Sequence, residues 1–152
     1  MTEKEMRLRA VKAHNLPQFY FYQVPQLLFY GKYRELSGNA RLLYGMLWDK
    51  LRLAPDKGWI DKKGNLFVRL ARKTAGFKLN ISKPTVQNCY EQLEAVDLIY
   101  RIRNGKTLVD DVYPLPPDPS EASTAAYEQL KIIEAEEEAA FAQNPIDFDD
   151  DN

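Results

Sequence analysis

Four polar residues near the middle of the chain lie close together in sequence: Lys83, Thr85, Gln87 and Asn88. Gln and Asn side chains can form paired hydrogen bonds with adenine, and Lys can reach guanine or a phosphate. The four residues occupy the N-terminal end of a predicted helix, which is the end that a DNA recognition helix presents to base edges. Polar residues on an exposed helix face can also be merely solvated. The DNA-binding interpretation therefore needs support from the rest of the chain.

Further basic and polar residues lie on both sides of this helix. Arg101 and Arg103 fall on the same face of a predicted strand, which suits contact with a phosphate or with the minor groove. The candidate DNA contacts are Lys78, Ser82, Lys83, Thr85, Gln87, Asn88, Arg101, Arg103 and Lys106.

Residues suited to catalysis are scarce. His14 is the only histidine, which excludes a metal site built on two histidines. Cys89 falls on the apolar stripe of its helix, so we interpret it as a core thiol rather than a nucleophile. Asp110 and Asp111 adjoin in a predicted strand and point to opposite faces. The GxxxxGK[ST] pattern of a phosphate-binding loop is absent from the sequence. We expect no catalysis, no metal and no cofactor.

Length and composition indicate one domain in a reducing compartment. A chain of 152 residues, of which 45% are hydrophobic, suits a single core of ordinary size. The single cysteine excludes an intramolecular disulfide. The charged N-terminal segment does not resemble a secretory signal, and no segment approaches the roughly 20 apolar residues of a membrane span. We expect a cytoplasmic protein that does not contact a membrane.

Positive and negative charges are separated along the chain. Residues 1–117 contain 20 Lys and Arg against 11 Asp and Glu, a balance of +9, whereas residues 118–152 contain 1 against 11, a balance of −10. The basic body favours an anionic partner such as nucleic acid. The acidic tail is most simply a solvated appendage. It could also lie over the basic body and compete with DNA, or attach replication proteins.

Hydrophobic periodicity predicts the elements that precede the polar cluster. Ser37 is a good N-cap, and the apolar spacing after it predicts a helix over about 38–53. Residues 59–68 predict a β-hairpin in which Gly64 can adopt a positive φ. A second helix over about 71–79 contains a glycine and is expected to need tertiary support.

A short turn separates this second helix from the next one. Asn80 can end the second helix in the left-handed conformation, and Ser82 can cap the third. Residues 98–103 then predict a strand, Asn104-Gly105 a tight turn, and residues 106–113 the partner strand. This order of helix, strand, helix, turn, helix and two-stranded wing is typical of a winged helix-turn-helix. The predicted fold class is mixed α/β and mainly helical, with an acidic helical tail.

The two ends of the chain complete the predicted organisation into three parts. Residues 1–18 are expected to form a mobile basic arm. The winged-helix domain spans 19–117, and its first aromatic segment, residues 19–30, is expected to pack onto the core as an extended strand followed by a helical turn; stacking on bases is the alternative. In the tail, 118–152, a capping box at Asp118-Pro119-Ser120-Glu121 predicts a helix to about Ala142, followed by a disordered acidic end.

The sequence from Phe21 to Ile99 resembles a known family, the N-terminal domain of RepA-type replication initiators carried by plasmids of Gram-positive bacteria. The resemblance rests on Phe21-Tyr22-Gln23 with Pro25, Leu36-Ser37 with Ala40, Leu43-Tyr44 with Leu47, Gly58-Trp59-Ile60-Asp61 with Gly64, Ser82-Lys83, and Leu93-Glu94 with Leu98-Ile99. It implies a winged helix that binds repeated sites at the plasmid origin and is similar to the N-terminal domain of the DnaD primosome protein. By position, it implies that Lys83 and the polar residues after it face DNA.

The sequence departs from the family pattern at two places. Asp97 stands where the family usually has a glycine between the last helix and the wing. The glycine-rich basic loop of the wing is shortened to Asn104-Gly105-Lys106. Such initiators usually continue through a linker into a C-terminal domain, so we expect this chain to correspond to the DNA-binding module.

Three functional hypotheses follow. The first is sequence-specific binding of double-stranded DNA as a plasmid or mobile-element replication initiator, acting as a homodimer that matches repeated sites. The second is a transcriptional repressor, which would share the fold and differ only in where its site lies. The third is a protein-binding adaptor, since Ile146 to Asp151 resembles the acidic, aromatic tip by which single-stranded-DNA-binding proteins recruit partners.

Overall fold

The fold is mainly helical, with one small antiparallel sheet. A computed structural model describes residues 1–105, 109–123 and 125–143. The helices are α1 (Glu3–Arg9), α2 (Gly38–Leu51), α3 (Ala54–Lys57), α4 (Arg72–Leu79), α5 (Lys83–Ala95) and α6 (Ala125–Gln143). The strands are β1 (Ile99–Ile102) and β2 (Asp111–Pro114), and 3-10 turns cover Gln26–Phe29, Gly31–Glu35 and Pro119–Ser123. The predicted fold class is confirmed, and among the described helices none combines the length and apolar character needed to cross a bilayer.

Helix α2 forms the centre of the core. The Ser37 hydroxyl accepts a hydrogen bond from the Ala40 amide at 3.1 Å, which confirms the predicted N-cap. Ala40, Leu43 and Leu47 on its buried face are completely inaccessible to solvent. They pack with the buried stripe of α5 and with Leu28, Val68 and Leu98 in one hydrophobic cluster. Because α2 and α5 share this buried cluster, their packing fixes the position of α5 on the body.

The turn between α4 and α5 follows the prediction from its end-cap residues. Asn80 adopts φ 56°, and the Ile81 amide donates to the Gly76 carbonyl at 2.9 Å, as in a Schellman motif. The Ser82 hydroxyl accepts from the Thr85 amide at 3.3 Å and begins α5. The absence of a side chain at Gly76 permits this tight connection, because an added Cβ would lie 2.7 Å from the Ile81 carbonyl oxygen.

The wing has a different connection from the one that the sequence predicts. Ile99 pairs with Pro114 and Ile102 with Asp111, so residues 103–110 connect the strands, with 106–108 outside the described residues. The predicted tight turn at Asn104-Gly105 is therefore wrong. The predicted partner strand is confirmed at residues 111–113, and its first residues, 106–108, lie outside the described part of the chain. Tertiary contacts set the register: buried Val112 forms a bridge with Val68, and the Asp111 carboxylate accepts from Arg69 Nε at 2.7 Å.

A second short antiparallel contact confirms the hairpin predicted before α4. Ile60 pairs with Leu66 through an isolated bridge, and Gly64 between them has φ 83°. Val68, two residues after the hairpin pair, forms an antiparallel bridge with Val112 of β2. The chain therefore contacts the wing sheet just before α4 begins.

The N-terminal aromatic segment, residues 19–30, joins the core only through its second half, where Leu28 is buried and Val24 and Leu27 pack against the cluster. Phe19, Tyr20 and Phe21 are 67%, 104% and 70% exposed, so the prediction of core packing is wrong for them. Residues 19–21 instead line a surface cavity with Trp48 and Asp49 of α2. The close approach to α2 comes at Gln23, whose carbonyl oxygen would lie 2.8 Å from a Cβ added to Gly45. The predicted helical turn that follows is present at Gln26–Phe29. Before the segment, α1 is an exposed helix with a capping box at Thr2, a feature that we did not predict.

The acidic tail begins against the body and continues as an exposed helix. Glu121 does not complete the predicted capping box: its carboxylate accepts from the Lys32 amide at 2.8 Å, and α6 begins only at Ala125. The Tyr127 ring meets that of Tyr30 edge-on, with ring centroids 5.3 Å apart. The predicted disordered end, residues 144–152, lies outside the described residues. Mobility of residues 1–18 and the three-part division of the chain stay predictions.

Candidate nucleic-acid interface

Helix α5 has one face in the core and one face in solvent. Val86, Cys89 and Leu93 on the inner face are at most 1% exposed, whereas Lys83 and Asn88 on the outer face are exposed. The Cys89 thiol is a buried core group, as predicted, and burial raises its pKa. Tyr90 is buried beside this stripe, although its position in the sequence did not predict it.

Asn88 is held in place by a chain of hydrogen bonds that reaches α2. Its Oδ1 accepts from Gln92 Nε2 at 2.6 Å, and Gln92 Oε1 accepts from the backbone amide of Ser37 at 2.8 Å. The Nδ2 group of Asn88 takes no part in these two hydrogen bonds. Because Gln92 links the Asn88 side chain to the N-terminal end of α2, these bonds orient Asn88 at the surface.

Gln87 is held by two charged neighbours. Its Oε1 accepts from Arg72 Nη1 at 2.8 Å, and its Nε2 donates to Glu91 Oε1 at 3.2 Å. Arg72 belongs to the first turn of α4, so this contact couples the outer faces of the two helices. The pair presents a guanidinium and an amide together.

The remaining predicted contacts on this part of the surface lie around the start of α5. The hydroxyls of Ser82 and Thr85 are 2.9 Å apart and belong to the helix cap, while Lys83 is exposed beside them. A cleft of about 380 Å³ lies between α4 and α5, lined by Lys73, Gly76, Phe77, Asn80, Ile81, Ser82 and Lys83.

The stretch of sequence that contains the turn is rich in basic residues and has no acidic residue. Residues 62–90 include seven Lys and Arg and no Asp or Glu, and Glu91 is the first carboxylate after them. Lys78 lies near Lys50, whose pKa is lowered by burial and by the neighbouring charges of Lys78 and Lys57. Of the seven cations, Lys62 and Lys63 line a groove beside the wing strands, and Arg69 pairs with Asp111. The other four, Arg72, Lys73, Lys78 and Lys83, lie on α4 and at the start of α5, where they suit a polyanion.

The wing arginines are placed differently from one another. Arg101 is an internal partner: its guanidinium pairs with Glu94, lies 3.9 Å from Asp110, and sits 4.9 Å from the centre of the Tyr90 ring. Only 15% of its side chain is exposed. Arg103 follows β1 and is exposed, and Lys106 lies outside the described residues.

Comparison with known proteins identifies the family. Residues 20–124 match the family described as the N-terminus of replication initiator protein A (RepA). The chain belongs to this family. The match covers the aromatic segment, the helix-turn-helix and the wing, and it confirms the resemblance on which the prediction of a replication initiator rested. No curated protein matches the chain.

Three solved structures of similar proteins share the fold. One, described as the N-terminal domain of a DNA-binding protein, has 24% identity and a TM-score of 0.60, with 90% of this chain and 93% of that chain covered. Another, described as an MDR initiator, has 26% identity, a TM-score of 0.59 and coverage of 90% and 97%. A third, described as a Rep-DNA complex, has 24% identity, a TM-score of 0.61 and coverage of 90% and 94%.

The structure brings together residues that the sequence analysis did not select. Arg72, Lys73 and Phe77 of α4 share the surface with the start of α5. The acid-free stretch of residues 62–90 was the signal that could have found the two cations. No comparable signal marks Phe77, because the weak apolar pattern of α4 does not show which face is buried.

Proposed function

We propose that this domain binds double-stranded DNA sequence-specifically at a replication origin, in the cytoplasm, and without bond-breaking chemistry. The observation that carries the proposal is the outer face of α5, whose N-terminal half presents amide groups held by hydrogen bonds beside the cations of α4 and α5. A helix with these properties enters the major groove with its first turns against base edges. Membership of the initiator family favours an origin over a promoter as the site.

Each side chain of the surface has a role in this proposal. Lys73, Lys78, Ser82 and Lys83 contact phosphates and set the position of the domain. Asn88 and the pair of Gln87 with Arg72 read base edges, and Thr85 contributes from the adjacent turn. Arg103 and Lys106 extend the contact to the neighbouring backbone. Arg101 anchors the wing to α5 through Glu94 and acts as a positioning residue.

Selection from random duplex DNA tests this function. The protein is expected to enrich one motif at about 50 mM salt and to retain the same motif at about 200 mM, because base contacts survive the screening that weakens phosphate contacts. Placing the motif in its genome would then separate an origin from the promoter of a repressed gene. Retention of DNA at low salt without any motif would contradict base readout.

We propose that the domain acts as a homodimer through the sheet face that points away from α5. A groove of about 1030 Å³ lies on this face, between the hairpin loop 61–66 and the two strands. Tyr100 and Ile102 alternate with the residues that face α5, and they are 58% and 42% exposed within the groove. A second copy can cover this apolar surface with its own, since a two-fold interface repeats the same patch.

The Tyr100→Arg substitution tests this interface. Analytical ultracentrifugation is expected to give twice the 17.6 kDa chain mass for the unmodified protein and the single-chain mass for Tyr100→Arg, because two arginines would meet across the symmetry axis. Phe141→Arg is the matched control, because Phe141 is 69% exposed on α6 and lies outside the groove. A single-chain mass for the unmodified protein, or an unchanged dimer in Tyr100→Arg, would contradict the proposed interface.

We propose further that the exposed half of the acidic tail attaches replication proteins. The first half of α6 contacts the body through Tyr127, Leu130 and Ile133. The second half, residues 134–143, is exposed and includes four glutamates and Phe141. Truncation after Ile133 removes eight acidic residues, keeps the docked half of α6, and is expected to abolish plasmid replication while origin binding is retained. Persistent replication would contradict attachment through the tail. An affinity gain confined to low salt would instead support competition of the tail with DNA.

A further inference from the structure

Phe77 is an apolar side chain that the fold leaves almost entirely in solvent. It is 88% exposed, whereas the adjacent Ala75 and Gly76 are buried against the core. A phenylalanine left in water forfeits the favourable free energy of burying its ring. Single exposed apolar residues are common on protein surfaces, so exposure alone does not indicate a partner. The surroundings of Phe77 supply that indication.

The neighbours of Phe77 are cationic and polar. It shares the cleft between α4 and α5 with Lys73, Ser82 and Lys83, and Lys78 follows it in sequence. A purely apolar protein partner would desolvate these lysines without providing a negative charge to neutralise them, which is unfavourable. Duplex DNA provides both surfaces, since its phosphates can neutralise the lysines and its major groove exposes apolar thymine methyl groups.

We infer that Phe77 makes an apolar contact with a thymine methyl group next to the bases that α5 reads. The inference rests on the proposed binding of duplex DNA and adds a specificity-determining residue outside α5. In a helix-turn-helix the first helix crosses the backbone while the second enters the major groove, and the shared cleft brings Phe77 to that boundary. The site is therefore expected to contain a thymine at a fixed position relative to the contacts of Gln87 and Asn88.

Two substitutions, one in the protein and one in the DNA, test the contact together. Phe77→Ala is expected to weaken binding of the selected duplex about tenfold while the slope of log affinity against log salt stays unchanged, because no phosphate contact is removed. Replacing thymidines one at a time by deoxyuridine, which lacks the methyl group, is expected to weaken binding of the unmodified protein at one position. Phe77→Ala should be insensitive to that same replacement, since the two changes remove one contact.

The design separates this inference from the proposed function. Phe77→Ala should fold normally, because the side chain is exposed and alanine favours a helix more than phenylalanine does. Phe141→Ala is the control, because Phe141 is also an exposed phenylalanine but lies on α6, and this variant is expected to bind as the unmodified protein does. Two outcomes overturn the inference and leave the proposed function standing, provided that the unmodified protein selects a motif. In the first, Phe77→Ala binds the motif as well as the unmodified protein does. In the second, the loss of affinity caused by Phe77→Ala adds to the loss caused by every deoxyuridine replacement. If no motif is selected, the proposed function itself fails.

Discussion

Replacing Gly76 by alanine is expected to lower the free energy of unfolding by about 2 kcal/mol, although the same change in an unobstructed helix would stabilise by up to about 1 kcal/mol. The new Cβ would lie 2.7 Å from the Ile81 carbonyl oxygen, a backbone atom that cannot rotate away. The Ile81 amide is bonded to the Gly76 carbonyl at 2.9 Å, so the chain would have to break this bond to relieve the contact. Urea denaturation followed by circular dichroism measures the loss.

Gly38→Ala is the matched control for this prediction. Gly38 is the first residue of α2, and nothing lies within 4 Å of a Cβ added there. It is expected to leave stability unchanged or slightly improved, because only the backbone entropy of the unfolded chain is reduced. Equal effects of the two substitutions would show that the connection between α4 and α5 is not as close as described.

Replacing Lys83 by alanine is expected to weaken duplex binding about tenfold for every sequence tested. Lys83 is exposed at the first turn of α5, beside the Ser82 cap and within the acid-free stretch, so its charge belongs to the phosphate contacts. Loss of one phosphate contact should reduce the slope of log affinity against log salt by about one. Fluorescence anisotropy titrations at four salt concentrations measure both quantities.

Lys131→Ala controls for the loss of a positive charge elsewhere. Lys131 is exposed on α6 and pairs with Glu128 at 3.9 Å. Its removal is expected to change neither the affinity nor the slope appreciably. A Lys83→Ala protein with an unchanged slope would place Lys83 away from the phosphates.

The helix-turn-helix could be predicted from sequence because local chemistry determines it. Asn80 and Ser82 fix the ends of α4 and α5 through backbone conformation and a side-chain cap, and both act within a few residues of themselves. The end of α4 and the start of α5 were therefore placed correctly from sequence. Asp97, noted only as a departure from the family pattern, adopts φ 58° after α5, a conformation that was not predicted.

The wing and the aromatic segment could not be predicted because distant residues decide them. Asn104-Gly105 is a good local turn signal, but Val68 and Arg69 fix Val112 and Asp111 and thereby set another register. Likewise, the aromatic content of residues 19–22 suggests burial, yet residues 19–21 stay exposed in a surface cavity beside Trp48 and Arg52.

Arg101 shows why the candidate site could be predicted only in part from the sequence. Its type and strand position suit a phosphate contact, but the carboxylate of Glu94 and the ring of Tyr90 already surround its guanidinium. Only a structure shows that α5 brings these groups to the wing. Conversely, Arg72 and Phe77 join the interface because α4 lies beside the start of α5.

The central claim is that the outer face of α5 reads bases, and selection of random duplex DNA by Asn88→Ala beside the unmodified protein tests it most directly. Asn88 is fixed through Gln92 to Ser37, so its removal should affect one base position and not the fold. The predicted result is the same motif with the preference lost at one position, a loss of about 1–3 kcal/mol in discrimination. An identical motif for both proteins, with preference retained at every position, would contradict the account.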